Sequence, residues 1–262
     1  MHESWNLHRK QVDALVRDAT RTLLTFARSN PDMTADDLRF VYEALVEQFG
    51  AGAAESAMYA LQESRSAAGL LDLPEPVRAG LAPSGQVAGT FGWAQSQAED
   101  TQELARVLAA PLGRLVRQPA RQTVFSSTKV AGTRWARIPG GKACWFCLML
   151  ASRGAVYHSR QSATFTSKRS ARSPETRYRN ATAQRGHRYK IGQAEGNRFH
   201  DNCDCQIVEV HDSTELPPIV EELYEEWEEV TWKDGMPADD QLQRWKEHIA
   251  NTRPNGEAAR PK

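Results

Sequence analysis

The four cysteines of the chain fall into two closely spaced pairs. Cys144 and Cys147 form a C-x-x-C motif, and Cys203 and Cys205 end the run His200-Asp-Asn-Cys-Asp-Cys. Thiolate and imidazole groups in two such pairs are typical ligands of a tetrahedral zinc ion. The spacing therefore predicts a zinc site with five candidate ligands for four positions, either three thiolates with one imidazole or four thiolates.

A redox-active pair, buried structural cysteines and later disulfides are the alternatives to a metal site. No βαβ pattern surrounds the C-x-x-C motif, and all four cysteines cluster near one histidine. A catalytic zinc would need an open position and a nearby general base, but neither H-E-x-x-H nor H-x-E occurs. G-x-S-x-G and Walker motifs are also absent. We therefore expect a structural zinc site and no catalytic residues.

The formal net charge of zero conceals three segments of unlike charge. Residues 1–116 carry 10 basic and 15 acidic side chains, residues 117–199 carry 17 and 2, and residues 200–262 carry 6 and 16. The basic middle segment is suited to nucleic acid or to an acidic protein surface. It is equally suited to pairing with the acidic tail of its own chain, so both interpretations stay open.

The N-terminal part has the apolar periodicity of amphipathic helices. One helix is predicted to end near Asn30, a second to begin with Thr34 as N-cap and stop at Gly50, and a third to follow over 51–68. We expect a loop over 70–92 and a helix over 98–115, which Pro111 would kink or break. A further helix is predicted over 118–130.

Short strands and turns are predicted around the cysteines. Strands are expected at 135–138, 154–157 and 206–210, and Pro139-Gly140-Gly141 is a turn that leads to Cys144. Residues 159–197 are polar and basic and predict a long loop. Two helices are expected in the acidic tail, with Trp227 and Trp245 among their apolar residues.

The predicted fold class is α+β, with a helical N-terminal region, a small zinc-stapled module and an acidic helical tail. The predicted domains are residues 1–116, 117–212 and 213–262. Hydrophobic content of 40% and charged content of 25% are ordinary for a soluble globular protein. No apolar run reaches the roughly 18 residues of a membrane span, and the N-terminus lacks a signal-peptide pattern, so folding in a reducing cytosol is expected.

The region 117–210 resembles the minor head protein family of tailed bacteriophages named after the F protein of phage Mu. The resemblance rests on Cys144-x-x-Cys147, the later His200-x-x-Cys203-x-Cys205 and the strand after it. The sequence from Arg121-Gln-Thr-Val through Trp135-Ala-Arg-Ile-Pro is similar to that of family members found in phages of actinobacteria. The chain departs from the family pattern in its long basic insertion over 159–197.

The resemblance implies a minor capsid protein, inside the capsid near the portal vertex, assembled in the host bacterial cytoplasm. It implies roles in head morphogenesis and in DNA packaging or delivery. The expected partners are the portal, capsid and scaffold proteins, and packaged DNA that the basic segment 117–199 would contact. A capsid maturation peptidase is the alternative, and a zinc-dependent DNA-binding regulator is a third interpretation that lacks a recognisable recognition helix.

Overall fold

The computed structural model describes residues 1–141, 143–154, 201, 203–211, 214–233, 236–237 and 240–253. Helices account for most of these residues, and the strands are short. In chain order the elements are α1 (Glu3–Ser29), α2 (Ala35–Ala67), α3 (Ser84–Gln95), α4 (Thr101–Ala131), β1 (Arg134–Ile138), α5 (Trp145–Ala151), β2 (Gln206–Val210), α6 (Pro218–Thr231), β3 (Trp232–Lys233), β4 (Met236–Pro237) and α7 (Gln241–Thr252).

Three long helices, α1, α2 and α4, pack against one another and form the body of the molecule. Their apolar stripes meet in a core in which Leu23, Leu38, Leu108 and Leu112 are fully buried. α1 ends at Ser29 and α2 begins after Thr34, as the periodicity predicted. The Thr34 hydroxyl accepts a hydrogen bond from the Asp37 amide, and the Asp37 carboxylate accepts one from the Thr34 amide, which completes a capping box.

The predicted stop at Gly50 is wrong, because α2 continues through this residue to Ala67. The second and third predicted helices are thus one. Gly50 is buried where α2 meets α4, and a Cβ added there would lie 3.3 Å from Cγ of Pro119. Gly50 therefore allows α2 and α4 to approach closely, and it does not end α2.

α4 is also longer than predicted, since it contains both Pro111 and Pro119 and ends at Ala131. Each proline removes one backbone hydrogen bond, but both are buried in the helix packing, which offsets that loss. Gly132 then ends the helix in the left-handed conformation with φ of 69°. α3 lies partly within the predicted loop over 70–92, so that prediction is also wrong in its second half.

The small sheet pairs β1 with β2 in antiparallel orientation. Ile138 lies opposite Gln206 and Arg134 opposite Val210, so the end of β1 meets the start of β2. Both strands were predicted at these positions. Of the predicted strand over 154–157, residues 155–157 lie outside the described residues, as does the predicted loop over 159–197.

The two predicted tail helices are present as α6 and α7, and they pack against α5. Trp245 of α7 is fully buried, and its Nε1 donates a hydrogen bond of 2.8 Å to the carbonyl of Trp145. Trp227 of α6 makes an edge-to-face contact with Trp245 at a centroid distance of 5.3 Å. The tail thereby contacts the helix that carries Cys147.

The described part of the fold is mostly helical with two small antiparallel sheets, β1–β2 and β3–β4, which is consistent with the α+β class. α4 runs through the predicted domain boundary between residues 116 and 117. The division into three domains stays a prediction. Within the described part of the chain, no helix combines the length and the apolar character needed to cross a membrane.

Candidate metal centre

The first cysteine pair sits where the turn after β1 enters α5. The Ala143 amide donates to the Gly140 carbonyl at 3.2 Å, which closes the turn. Cys144 is the N-cap of α5, with extended backbone, and Cys147 lies in the first helical turn. This places both thiols at the same end of one short helix, and Cys147 is fully buried.

The second cysteine pair lies immediately before β2, the strand that pairs with β1. Because Ile138 pairs with Gln206, the segment 203–205 is held beside the turn that follows β1. Cys203 and Cys205 are both buried. Residues two apart on extended backbone present side chains to the same side, so both thiols can face Cys147.

The Sγ atoms of Cys147, Cys203 and Cys205 lie within 4.8 Å of one another. Cys147 Sγ is 3.6 Å from Cys203 Sγ, and none of the four cysteines is in a disulfide. Tetrahedral ligands at a Zn–S distance of about 2.3 Å are separated by roughly 3.8 Å, whereas a disulfide bond is about 2.05 Å long. The thiols therefore have the spacing that zinc ligands require.

The other two candidate ligands, Cys144 and His200, are not part of this three-thiol cluster. Cys144 makes a side-chain hydrogen bond with Cys147 and is half-buried, so it lies at the edge of the three-thiol set. His200 lies outside the described residues. The structure thus brings three of the five predicted ligands together and places a fourth beside them, and the choice between Cys144 and His200 stays open.

Two buried arginines stand next to the thiols. Arg121 of α4 donates from Nη2 to the carbonyls of Cys203 and Cys205, at 2.8 Å and 2.9 Å. Arg137 of β1 donates from Nη1 to Cys147 Sγ at 3.5 Å. Burial lowers the pKa of Arg121 to about 10, which leaves it charged at neutral pH. The site therefore combines thiols with fixed positive charge.

This environment favours a thiolate. Hydrogen bonds from the thiols of Cys147 and Cys205 lower the pKa of Cys203, and the charges of Arg121 and Arg137 act in the same direction. The pKa of Cys147 is raised, chiefly by its hydrogen bond with Cys144. Against the opposing hydrogen bond with Cys147, the hydrogen bond with Cys203 and burial raise the pKa of Cys205 to about 12. Since zinc binds cysteine as thiolate, Cys203 is the thiol whose surroundings already favour the metal-binding form.

The acidic residues beside the cysteines have structural contacts. Arg114 Nε donates to Asp201 Oδ1 at 2.6 Å, which ties the residue near the second pair to α4. The Asp204 carboxylate packs so closely on Gly140 that an added Cβ would overlap it. The absence of a side chain at Gly140 thus leaves room for the Asp204 carboxylate between the two cysteine segments.

Residue spacing gave no indication that Arg121 and Arg137 contact the cysteine segments, or that Arg65 pairs with Glu209. Both oxygens of Glu209 accept hydrogen bonds from Arg65, at 2.7 Å and 2.8 Å, in a buried setting. A charged residue within an otherwise apolar helix face or strand is the one signal that would have pointed to them, because such residues need partners when buried.

Comparison with known proteins identifies the class to which this fold and site belong. The sequence matches the VG15 protein family over residues 2–230, which is most of the chain. The chain therefore belongs to the VG15 family and is a phage protein. Neither a curated protein nor a solved structure matches the chain.

Proposed function

We propose that this VG15-family protein is a minor capsid protein of a tailed phage. It associates with the portal and acts in head morphogenesis and in DNA packaging or delivery. The membership of the chain in a phage family supports this role. The resemblance of the cysteine and histidine pattern around residues 144–205 to the family named after the Mu F protein supports placing this role in the phage head.

The metal centre in this proposal is a structural zinc site that joins the C-x-x-C turn to the start of β2. The single observation that carries it is the set of three Sγ atoms within 4.8 Å of one another. Cys147, Cys203 and Cys205 are the core ligands, and Cys144 or His200 is the fourth. Thiolate-rich sites that are closed to solvent are structural in most zinc proteins.

The proposed role is an assembly role without enzymatic turnover. The three thiols are at most 2% exposed, so a substrate would not reach a metal bound among them. Zinc there would stabilise a region with little sheet of its own, because the β1–β2 ladder is five residues long. In this proposal the metal stabilises the fold, and the surface of the protein contacts the other head proteins and DNA.

The helical region offers surfaces for docking other head proteins. Phe40 of α2 is 76% exposed and Trp93 of α3 is 52% exposed, and aromatic rings are enriched at protein interfaces. The net charge of +15 over residues 117–199 supports a salt-sensitive, sequence-independent contact with packaged DNA. We assign contacts with the portal and capsid proteins to the exposed aromatic residues of the helical region. We assign contacts with DNA to the basic segment 117–199.

The test is to locate the protein in purified particles of its phage. Mass spectrometry of virions should detect it at a few copies per particle, and cryo-electron microscopy of the portal vertex should place it inside the head. Absence from virions would contradict the capsid role. Specific cleavage of scaffold or coat protein by the purified chain would instead support a maturation peptidase.

A further inference from the structure

Arg121 makes an unusual set of contacts for a buried residue of a helical core. Its side chain projects from α4 and is 5% exposed. Nη2 donates to the carbonyl oxygens of Cys203 and Cys205, and Nε donates to that of Cys205 at 3.3 Å. One guanidinium group thus bridges the backbone of two candidate ligands.

These carbonyls precede the regular sheet. The β1–β2 ladder begins at Gln206, so the hydrogen bonds of the segment 203–205 depend on contacts from outside the sheet. The planar fork of an arginine has donors at fixed separation, which a lysine ammonium group lacks. Nη2 bridges the carbonyls of Cys203 and Cys205, and Nε, at a fixed position in the same plane, adds a second bond to the Cys205 carbonyl. The rigid guanidinium group therefore holds both peptide units and, through them, the two thiols.

The charge of Arg121 acts on the same site. A zinc ion with three thiolates has a net charge of −1, and with four thiolates a net charge of −2. Such a charge in a buried place is stabilised by a nearby positive group. Arg121 thus combines a geometric contact with favourable electrostatics at the second cysteine pair.

We propose that Arg121 is a positioning residue of the metal site, which holds Cys203 and Cys205 in the geometry that binds zinc before the ion arrives. The inference rests on the metal site of the proposed function. Groups that orient metal ligands from outside the coordination sphere typically change metal affinity by about 10- to 100-fold when removed. Arg121 would then set the affinity of the site without touching the ion.

The experiment compares zinc affinity in four variants of the full chain with that of the parent protein. Arg121→Gln removes the charge and the fork, and Arg121→Lys keeps the charge only. Arg117→Gln and Arg117→Lys are matched controls one turn earlier on α4, where the arginine pairs with Asp13 at 2.6 Å. Competition with a chromophoric chelator gives each Zn²⁺ dissociation constant, and circular dichroism checks the helical content.

We expect zinc binding to weaken about 10- to 100-fold in Arg121→Gln and about 10-fold in Arg121→Lys, with little change in the Arg117 variants. The visible absorption bands of bound Co²⁺ should shift only in the Arg121 variants, since those bands report ligand geometry. If Arg121→Gln does not fold, the zinc affinity and the Co²⁺ spectrum of the Arg121→Lys protein are compared with those of the parent protein instead.

Equal affinities and equal Co²⁺ spectra in the Arg121→Lys protein and the parent protein would overturn the inference and leave the metal site intact. A parent protein that binds no Zn²⁺ would overturn the site itself, and the role of Arg121 with it. The two failures are therefore distinguishable.

Discussion

Cys147 Sγ lies 3.6 Å from Cys203 Sγ although the two residues are 56 positions apart in the chain. The pairing of β1 with β2 creates this proximity, because it brings the turn after β1 beside the segment before β2. Two local motifs, each too small to fold by itself, thereby form one buried set of thiols. The proximity of the two cysteine pairs therefore depends on the pairing of β1 with β2.

The contribution of each candidate ligand can be ranked by substitution. Cys147→Ser, Cys203→Ser and Cys205→Ser should each abolish tight zinc binding and lower the melting temperature, since each removes one of three mutually close thiols. Of Cys144→Ser and His200→Ala, one should have a comparable effect and the other a small one. Zinc titration and thermal unfolding of the five proteins would measure this, and equal, small effects throughout would contradict a four-ligand site.

Gly140 and Gly141 provide a matched pair for testing how closely the cysteine segments approach. A Cβ at Gly140 would overlap the Asp204 carboxylate, whereas a Cβ at Gly141 meets no atom within 4 Å. Gly140→Ala should therefore cost about 1–3 kcal/mol of unfolding free energy, the usual cost of overpacking. Gly141→Ala should be close to neutral, and chemical denaturation would show whether the two costs differ.

The buried ion pair of Arg65 and Glu209 should be among the most sensitive contacts. Arg65 is 5% exposed and Glu209 is fully buried, with two hydrogen bonds between them. Glu209→Gln would leave a buried charge without its partner, and we expect a loss of about 3–5 kcal/mol. The exposed pair Arg39 and Glu43 is the control, for which Glu43→Gln should cost less than about 1 kcal/mol. Similar costs at the two sites in urea denaturation would refute this.

His8 should make stability depend on pH in the acidic range. Burial and, to a lesser extent, the charge of Arg9 lower its pKa from 6.5 to about 4, and its Nδ1 lies 2.7 Å from Ser56 Oγ. The unfolded state therefore binds more protons than the folded state between these values. The contribution of neutral His8 is fully present above pH 6.5 and is lost as the pH falls toward 4.

Comparison of the parent protein with His8→Gln isolates this contribution, because other acid-sensitive groups are common to both. The parent should lose up to about 3 kcal/mol more than the variant between pH 7 and pH 4. Urea denaturation at several pH values would measure the difference. Parallel curves for the two proteins would show that His8 does not titrate on unfolding.

The local elements of the fold followed largely from the sequence. The end of α1, the Thr34 cap, both strands of the sheet and the two tail helices were predicted from periodicity and capping. The errors lie at Gly50 and at the boundary predicted between residues 115 and 118, beside Pro119. Here α2 and α4 continue through these positions because packing between long helices accommodates them. Local propensity could not reveal this, because the compensating contacts come from distant parts of the chain.

The spacing of the cysteines predicted which residues come together at the candidate site, but not what surrounds them. The cysteine spacing is a local signal, and three predicted ligands do lie together. Arg121 and Arg137 reach the site from α4 and β1, and their role depends on tertiary packing that no spacing records. Glu209 likewise looked like an ordinary strand residue until its partner, 144 positions away, was known.

The metal content of the purified protein decides whether the three clustered thiols hold a structural zinc ion. The chain purified under reducing conditions without added chelator should contain one zinc ion per molecule by inductively coupled plasma mass spectrometry. The Cys147→Ser protein, purified in parallel, should contain none. A folded parent protein with no bound zinc, or equal zinc in both proteins, would contradict the structural metal site.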